Sequence, residues 1–464
     1  MALPTQSIER LKDYLAQLPP KSQALLMREF ERAVERGEDV KVASLVLELL
    51  RTVVRATDTN ERSRTDDLSR QVFRPLEPFL VENNANLRPG QIRRASLDQV
   101  WNWLKRDGIP GDIAEFEASD APTGAALEAA IRKIQAAAAV AIEQVVSPAA
   151  RGGGDQRSLS RIGGQSVAED LHSVMAVLNC REALEGFSAR VAGSLRNLAD
   201  SQLTAVQEAM NVPALQTPQG LPFALSLVIH KLASPWQVIR LAIAVAGSDD
   251  EIRVAATAYG IAVTMVIHDL SNLVTELRQD MRQGRLDSLS HRLKIIHDGL
   301  RGLRTELDIR TDSAWGKRLS AIRSEISNIL RSEIESVPGR VRRLLRQRPD
   351  KDIHGGTKLD PMDIDETAAL IDFVAVCRTY ASELAINEVT LRTFSDLQHY
   401  TESATEALVE SLRASESKTR PFRKMQVDAA VKFCDVLFGH DYASLMRKAA
   451  EVAISGERKN SRTA

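Results

Sequence analysis

Leu286, Leu289, Leu293, Ile296, Leu300, Leu303 and Leu307 recur at spacings of 3, 4, 3, 4, 3 and 4 residues. A strand cannot use that pattern, because its side chains alternate faces with a period of two; on a helix the same residues draw one continuous apolar seam. Val263, Val266, Leu270, Leu273 and Leu277 make a matching seam upstream, with Gly284 between the two. Two seams flanking a breaker predict an antiparallel helical hairpin in which each covers the other. A third long helix over 315–337, carrying Leu319, Ile322, Ile326, Ile329 and Leu330, extends this into an elongated bundle. A second copy of the chain is the competing cover, which would make the seam a coiled-coil homo-oligomer interface.

The rest of the chain points the same way. Aromatic residues are only 4% of the sequence, Ala, Leu, Arg, Glu and Gln are plentiful, and no alternating β-branched run stands between turn signals; the expected class is all-α. An N-terminal helical unit is expected over 1–120, with short helices near 22–36 and 40–55 and a polar loop at 57–67. In FRPLEPFL, residues 73–80, Pro75 and Pro78 lack amide donors, so that strip reads as extended or turning. A helix over about 89–107 follows, with one of Trp101 and Trp103 in the core and the other docked on the strip. The central long-helix bundle spans 121–348 and includes a Gly-rich linker at about 148–165. Ser166 with Glu169 and Ser248 with Glu251 read as capping boxes, the first opening a helix towards Met210. A linker at 349–362 leads to a C-terminal helical unit over 363–455, split near Lys418–Pro421, and a disordered tail over 456–464.

Several function classes are disfavoured early. Lys plus Arg total 61 and Asp plus Glu 62, so no global charge recruits nucleic acid or an anionic membrane. Cys180, Cys377 and Cys434 lack the spacing of a disulfide scaffold or zinc module. The uncharged stretch Val254–Ile267 is 14 residues, short of the ~18–20 that cross a bilayer. Glu9, Arg10, Lys12 and Asp13 stand where a secretory signal would be apolar, and the expected compartment is the cytoplasm.

Chemistry-bearing motifs are sparse. Gly152-Gly153-Gly154 and Gly163-Gly164 lack the following Lys-Ser/Thr and the preceding strand of a phosphate cradle. His354-Gly355-Gly356 has no G-x-S-x-G elbow to serve. His291 and His297 fall on different helix faces, and no metal or cofactor site is expected. His268-Asp269-Leu270-Ser271-Asn272 resembles the phosphoacceptor box of histidine kinases. The resemblance implies a phosphotransfer-like role centred on His268, whose heptad position faces solvent.

Charge blocks carry more. Residues 315–348 hold nine Lys/Arg against three Glu, and Arg340, Arg342, Arg343, Arg346 and Arg348 cluster at the end. Residues 360–416 hold twelve acids against three Arg. After a kink or restart at Pro338-Gly339, Val341, Leu344 and Leu345 form the apolar face of a short cationic helix. Either that helix packs on its own chain and meets the acidic region, or it binds a phosphate-bearing or acidic partner. The expected function is a non-enzymatic scaffold, adaptor or regulator acting through protein association. A regulator touching nucleic acid or anionic membrane through 340–348 is the alternative, and phosphotransfer at His268 the third reading.

Overall fold

The structure is a computed structural model. It describes residues 64–82, 86–118, 124–146, 162–285, 289–354 and 356–460, except 192, 194 and 196, together with isolated positions before 64. Among the described residues sixteen α-helices stand against a single pair of two-residue strands, so the protein is all-α. No described helix is long and apolar enough to cross a membrane. The helices expected near 22–36 and 40–55, the linker expected at about 148–165 as far as residue 161, Leu286 and the tail beyond Asn460 lie outside the described residues, apart from Leu26, Phe30 and four positions between 46 and 50. Leu15, Val46 and Leu50 are buried in a small apolar cluster, against which Leu26, Phe30 and Leu49 pack.

Contacts divide the chain into two units, one of residues 1–84 and 92–181, the other of 85–91 and 182–464. The expected divisions near 120 and at 349–362 fall inside these units.

In the first unit, α1 (Arg64–Phe73) begins within the expected polar loop. The strip after it is neither extended nor irregular. Arg74–Phe79 forms a 3-10 helix with Pro75 in its first turn, where a missing N–H costs nothing, and Leu76 and Phe79 are buried. Strands β1 (Leu80–Val81) and β2 (Ile92–Arg93) pair in parallel. The expected helix at 89–107 is therefore shorter: α2 (Arg94–Trp103) passes into a π-helical turn, Leu104–Gly108. Trp101 and Trp103 are both buried, and the Trp101 ring meets Phe73 edge-on at 5.8 Å. α3 (Pro110–Ala118) and α4 (Ala125–Val146) follow, and Gln135 of α4 donates to the Val72 carbonyl of α1 at 2.9 Å. α5 (Gln165–Arg190) starts one residue before Ser166, so the expected capping box is not its cap. Its buried Asp170 accepts instead from Ser96 at 2.6 Å and Arg93 at 3.2 Å, tying α2 to α5. The helix expected to reach Met210 ends at Arg190 and resumes as α6 (Asp200–Met210).

The second unit continues with α7 (Leu221–Lys231), buried from Leu221 through Ile229, and α8 (Ile239–Ala246). α9 (Glu251–Ala255) is capped by Asp250, whose carboxylate accepts from the Arg253 amide at 3.0 Å. The cap falls there because Glu251 is used elsewhere: buried, it accepts from the Arg310 amide at 2.8 Å. α10 (Ile261–Arg282), α11 (Leu289–Glu306) and α12 (Ala314–Leu345) carry the long apolar faces. Leu270 faces Gly299, and Arg292 holds Asp280 at 2.8 Å, so α10 and α11 run antiparallel. Leu289, Leu293, Ile296, Leu300 and Leu303 are buried; on α10, Met265, Ile267 and Val274 join the buried set while Leu273 is half-exposed. α12 neither ends nor restarts at Pro338: one helix runs through it, with the apolar side continuing over Ile334, Val337, Val341, Leu344 and Leu345. Packing on both sides of the proline offsets the one lost backbone bond. α13 (Pro361–Tyr380), α14 (Asn387–Arg413) and α15 (Arg420–Phe438) pack together and against α12; α16 (His440–Asn460) packs on α14 and α15 and extends past the expected end at 455.

Candidate functional site

The last turns of α12 place the arginine cluster. Val341, Leu344 and Leu345 turn inward, and helical spacing then sends Arg342 and Arg343 outward. The helix end would leave carbonyls without partners, and α15 supplies them. Gln426 donates to the Leu344 and Arg346 carbonyls at 3.3 and 2.9 Å. Arg423, 5% exposed, donates to the Arg348 carbonyl and to Asp350 at 2.9 Å.

The five arginines named from the sequence have different surroundings. Arg340 pairs with Glu366 at 3.3 Å and Arg343 with Asp363 at 3.2 Å, both on the acidic first turns of α13. Arg342 lies 5.6 Å from the Tyr400 ring centroid and Arg348 5.3 Å from that of Phe422. Burial raises the Tyr400 hydroxyl above its ordinary range, with Arg342 pulling the other way. Among the described residues Arg346 has no ion-pair or ring partner for its exposed guanidinium. Arg342, Arg343, Arg346 and Arg348 line a cleft of about 590 Å³ with Gln347 and Asp352. Arg340 is turned to Glu366 and is not among the lining residues.

His268 is not the solvent-facing imidazole its heptad position suggests. It is half-buried, with Nδ1 3.3 Å from the Asn272 amide one turn on. Burial holds its pKa below the ordinary range, assisted by Arg88 and Arg318. Arg88, remote in sequence, is buried here: Nε stands 2.9 Å from Oδ1 of Asp269, and one terminal nitrogen donates to the Ser226 hydroxyl at 2.9 Å. Burial also lowers His230, again with Arg88 as the second cause. Burial pushes the Asp269 carboxyl up to about 6 against the pull of Arg88. Sequence reading missed Arg88, Ser226 and the ion pair, because Leu87-Arg88-Pro89-Gly90 signals only a turn. Among the described residues no three His, Cys, Asp or Glu side chains group to hold a metal ion. The three cysteines are buried and form no disulfide among the described residues, and burial raises each thiol, disfavouring the nucleophilic thiolate.

Compared with known families, curated proteins and solved structures, the chain matches none.

Proposed function

We propose that the chain is a non-enzymatic helical adaptor or regulator that acts by associating with another protein. The observation that carries this reading is the open cleft at the end of α12, where four arginine side chains meet beside the buried Val341, Leu344 and Leu345. Nucleic acid or an anionic membrane is less well served by the same residues. Such partners use rows of unneutralised cations, whereas Arg340 and Arg343 already face Glu366 and Asp363. Phosphotransfer at His268 has less support too, since the imidazole is half-buried between α10 neighbours and the Arg88 charge.

The test is cross-linking of the tagged chain in the cells that make it, followed by capture with nuclease and detergent present. A protein retained under those conditions, whose complex re-forms from purified components, supports the reading. Loss of every captured protein under those conditions, with nucleic acid or lipid recovered when nuclease and detergent are omitted, overturns it.

A further inference from the structure

We propose that the cleft at the end of α12 is the docking site for a carboxylate-rich peptide segment of a partner protein, with Arg342, Arg346 and Arg348 making the oxyanion contacts. The inference rests on the adaptor reading and adds the chemistry of the partner.

Size is the first argument. A cleft of about 590 Å³ far exceeds a lone carboxylate or phosphate and lies within the roughly 300–1,000 Å³ range of sites that enclose several groups. The second argument is how the guanidinium groups are held. Contact with the Tyr400 and Phe422 rings restrains Arg342 and Arg348 without using an N–H donor. Each therefore keeps its planar fork for a bidentate carboxylate, with less side-chain freedom left to lose on binding. Arg346 needs no intramolecular bond to break before it engages a ligand.

A helix C-terminus ordinarily repels anions, because its exposed carbonyls carry the negative end of the dipole. Here Gln426 covers the Leu344 carbonyl of the last turn, Gln426 and Arg423 cover the Arg346 and Arg348 carbonyls just beyond it, and the four guanidinium groups outweigh the half-charge of the dipole.

Charge density then selects among anions. Asp352 lines the cleft, and Asp363 pairs with its Arg343. Every nucleotide of a nucleic acid carries a phosphate, so its backbone presents unbroken negative charge to these acids as well as to the arginines. An extended peptide can set same-side carboxylates ~6.6–6.8 Å apart and place neutral residues opposite the acids. A bilayer surface is flat, and a concave wall holds its cations back from a plane of headgroups.

The probe is a fluorescein-labelled octapeptide of alternating Glu and Ser, titrated with the full chain and read by fluorescence anisotropy at low salt. Saturable binding is expected, weakened at least tenfold in the Arg342→Gln/Arg346→Gln/Arg348→Gln triple variant with its melting temperature checked. Arg346→Glu alone, which disturbs no intramolecular pair, is expected to weaken binding several-fold. A control triple of equal charge change on exposed helix faces, Arg253→Gln/Arg282→Gln/Arg331→Gln, should bind as the parent does. No saturable binding overturns the proposal, as does equal weakening in the control. So does tighter competition by a single-stranded octanucleotide or by phosphatidylserine vesicles. If the triple variant still captures the cellular protein partner, the adaptor reading survives and this site falls. If the peptide binds at the cleft but no protein partner is captured, the site stands and the adaptor reading falls.

Discussion

The Arg88 guanidinium, fixed between Pro89 and a turn, reaches Oδ1 of Asp269 at 2.9 Å and is almost wholly buried there, while the carboxylate side chain stays 30% exposed. The cation is satisfied on its other side by the Ser226 hydroxyl, whose own proton faces the Pro222 and Gly90 carbonyls. Gly90 is required at that point: its φ is +81°, and a Cβ would come within 2.4 Å of the Pro222 oxygen. The Arg88 charge also acts on His230 and His268, so stability should respond to pH.

The sign follows from the direction of each shift. Asp269 titrates at about 6 in the folded protein, against an ordinary 3.8, so the native state binds this proton more tightly than the unfolded chain. Its contribution is complete below about pH 4 and is lost as pH rises through 6, by at most about 3 kcal/mol. His230 and His268 act oppositely: their lowered values make stability fall as pH drops below about 6.5. Melting of the parent and Asp269→Asn from pH 4 to 8 separates the two. The parent-minus-variant difference should decline up to about pH 6.5 and then level; a flat difference throughout would mean that Asp269 is unshifted.

The packing of α11 on its neighbours is tight at its glycines. A Cβ at Gly302 would lie 2.4 Å from the rigid Trp236 indole, whereas one at Gly299 meets the flexible end of Leu270 at 2.7 Å. Gly302→Ala should therefore destabilise more than Gly299→Ala in urea unfolding. Gly186 of α5 has open space around it, so Gly186→Ala is expected to stabilise by about 0.5–1 kcal/mol from helix propensity.

Leu293 is fully buried on α11. Leu293→Ala should cost roughly 2–5 kcal/mol in chemical denaturation, the range for a leucine cavity. Leu293→Asp would bury a charge without a partner and should abolish folding of the second unit. A folded, monomeric Leu293→Asp protein formed from an oligomeric parent, seen by light scattering, would instead make this face an interface between copies.

Between α13 and α14 the buried Glu383 carboxylate holds Arg304 of α11 and lies 3.9 Å from Arg323 of α12, beside Ala385 at φ +55°. Glu383→Gln should lower stability by about 1–3 kcal/mol, since the amide replaces a charge-assisted contact. Arg304→Ala leaves the buried Glu383 charge without its close partner, Arg323 being 3.9 Å away, and should cost more. Equal losses in a thermal melt would contradict this account.

Exposed pairs should be weaker and salt-sensitive. Arg340→Gln/Arg343→Gln removes the contacts to Glu366 and Asp363, each worth about 0.2–1 kcal/mol at a solvated surface. The deficit should shrink as salt rises from 0.05 to 0.5 M, on the order of the change in screening length. A deficit independent of salt would point to lost packing of the arginine stems.

The helical identity of 261–282, 289–306 and 314–345 was legible in the sequence because it is local. Side chains three and four residues apart share a face whatever the rest of the chain does, and Gly284, at φ +67°, marks the turn by its own conformational freedom. The sign of the charge at Arg340–Arg348 and its acidic counterpart downstream were equally plain. Boundaries were less so: 73–79 became a 3-10 helix, the cap moved to Asp250, and α12 passed through Pro338, because packing and competing bonds outweighed local preference.

The sites belong to the tertiary structure. No spacing rule joins Arg88 to Asp269, Tyr400 to Arg342 or Gln426 to the end of α12, yet these contacts decide which cations are buried, stacked, neutralised or open. Sequence periodicity determines which face of a helix is apolar; what covers that face, and which charges meet across it, depends on chain segments brought together only by folding.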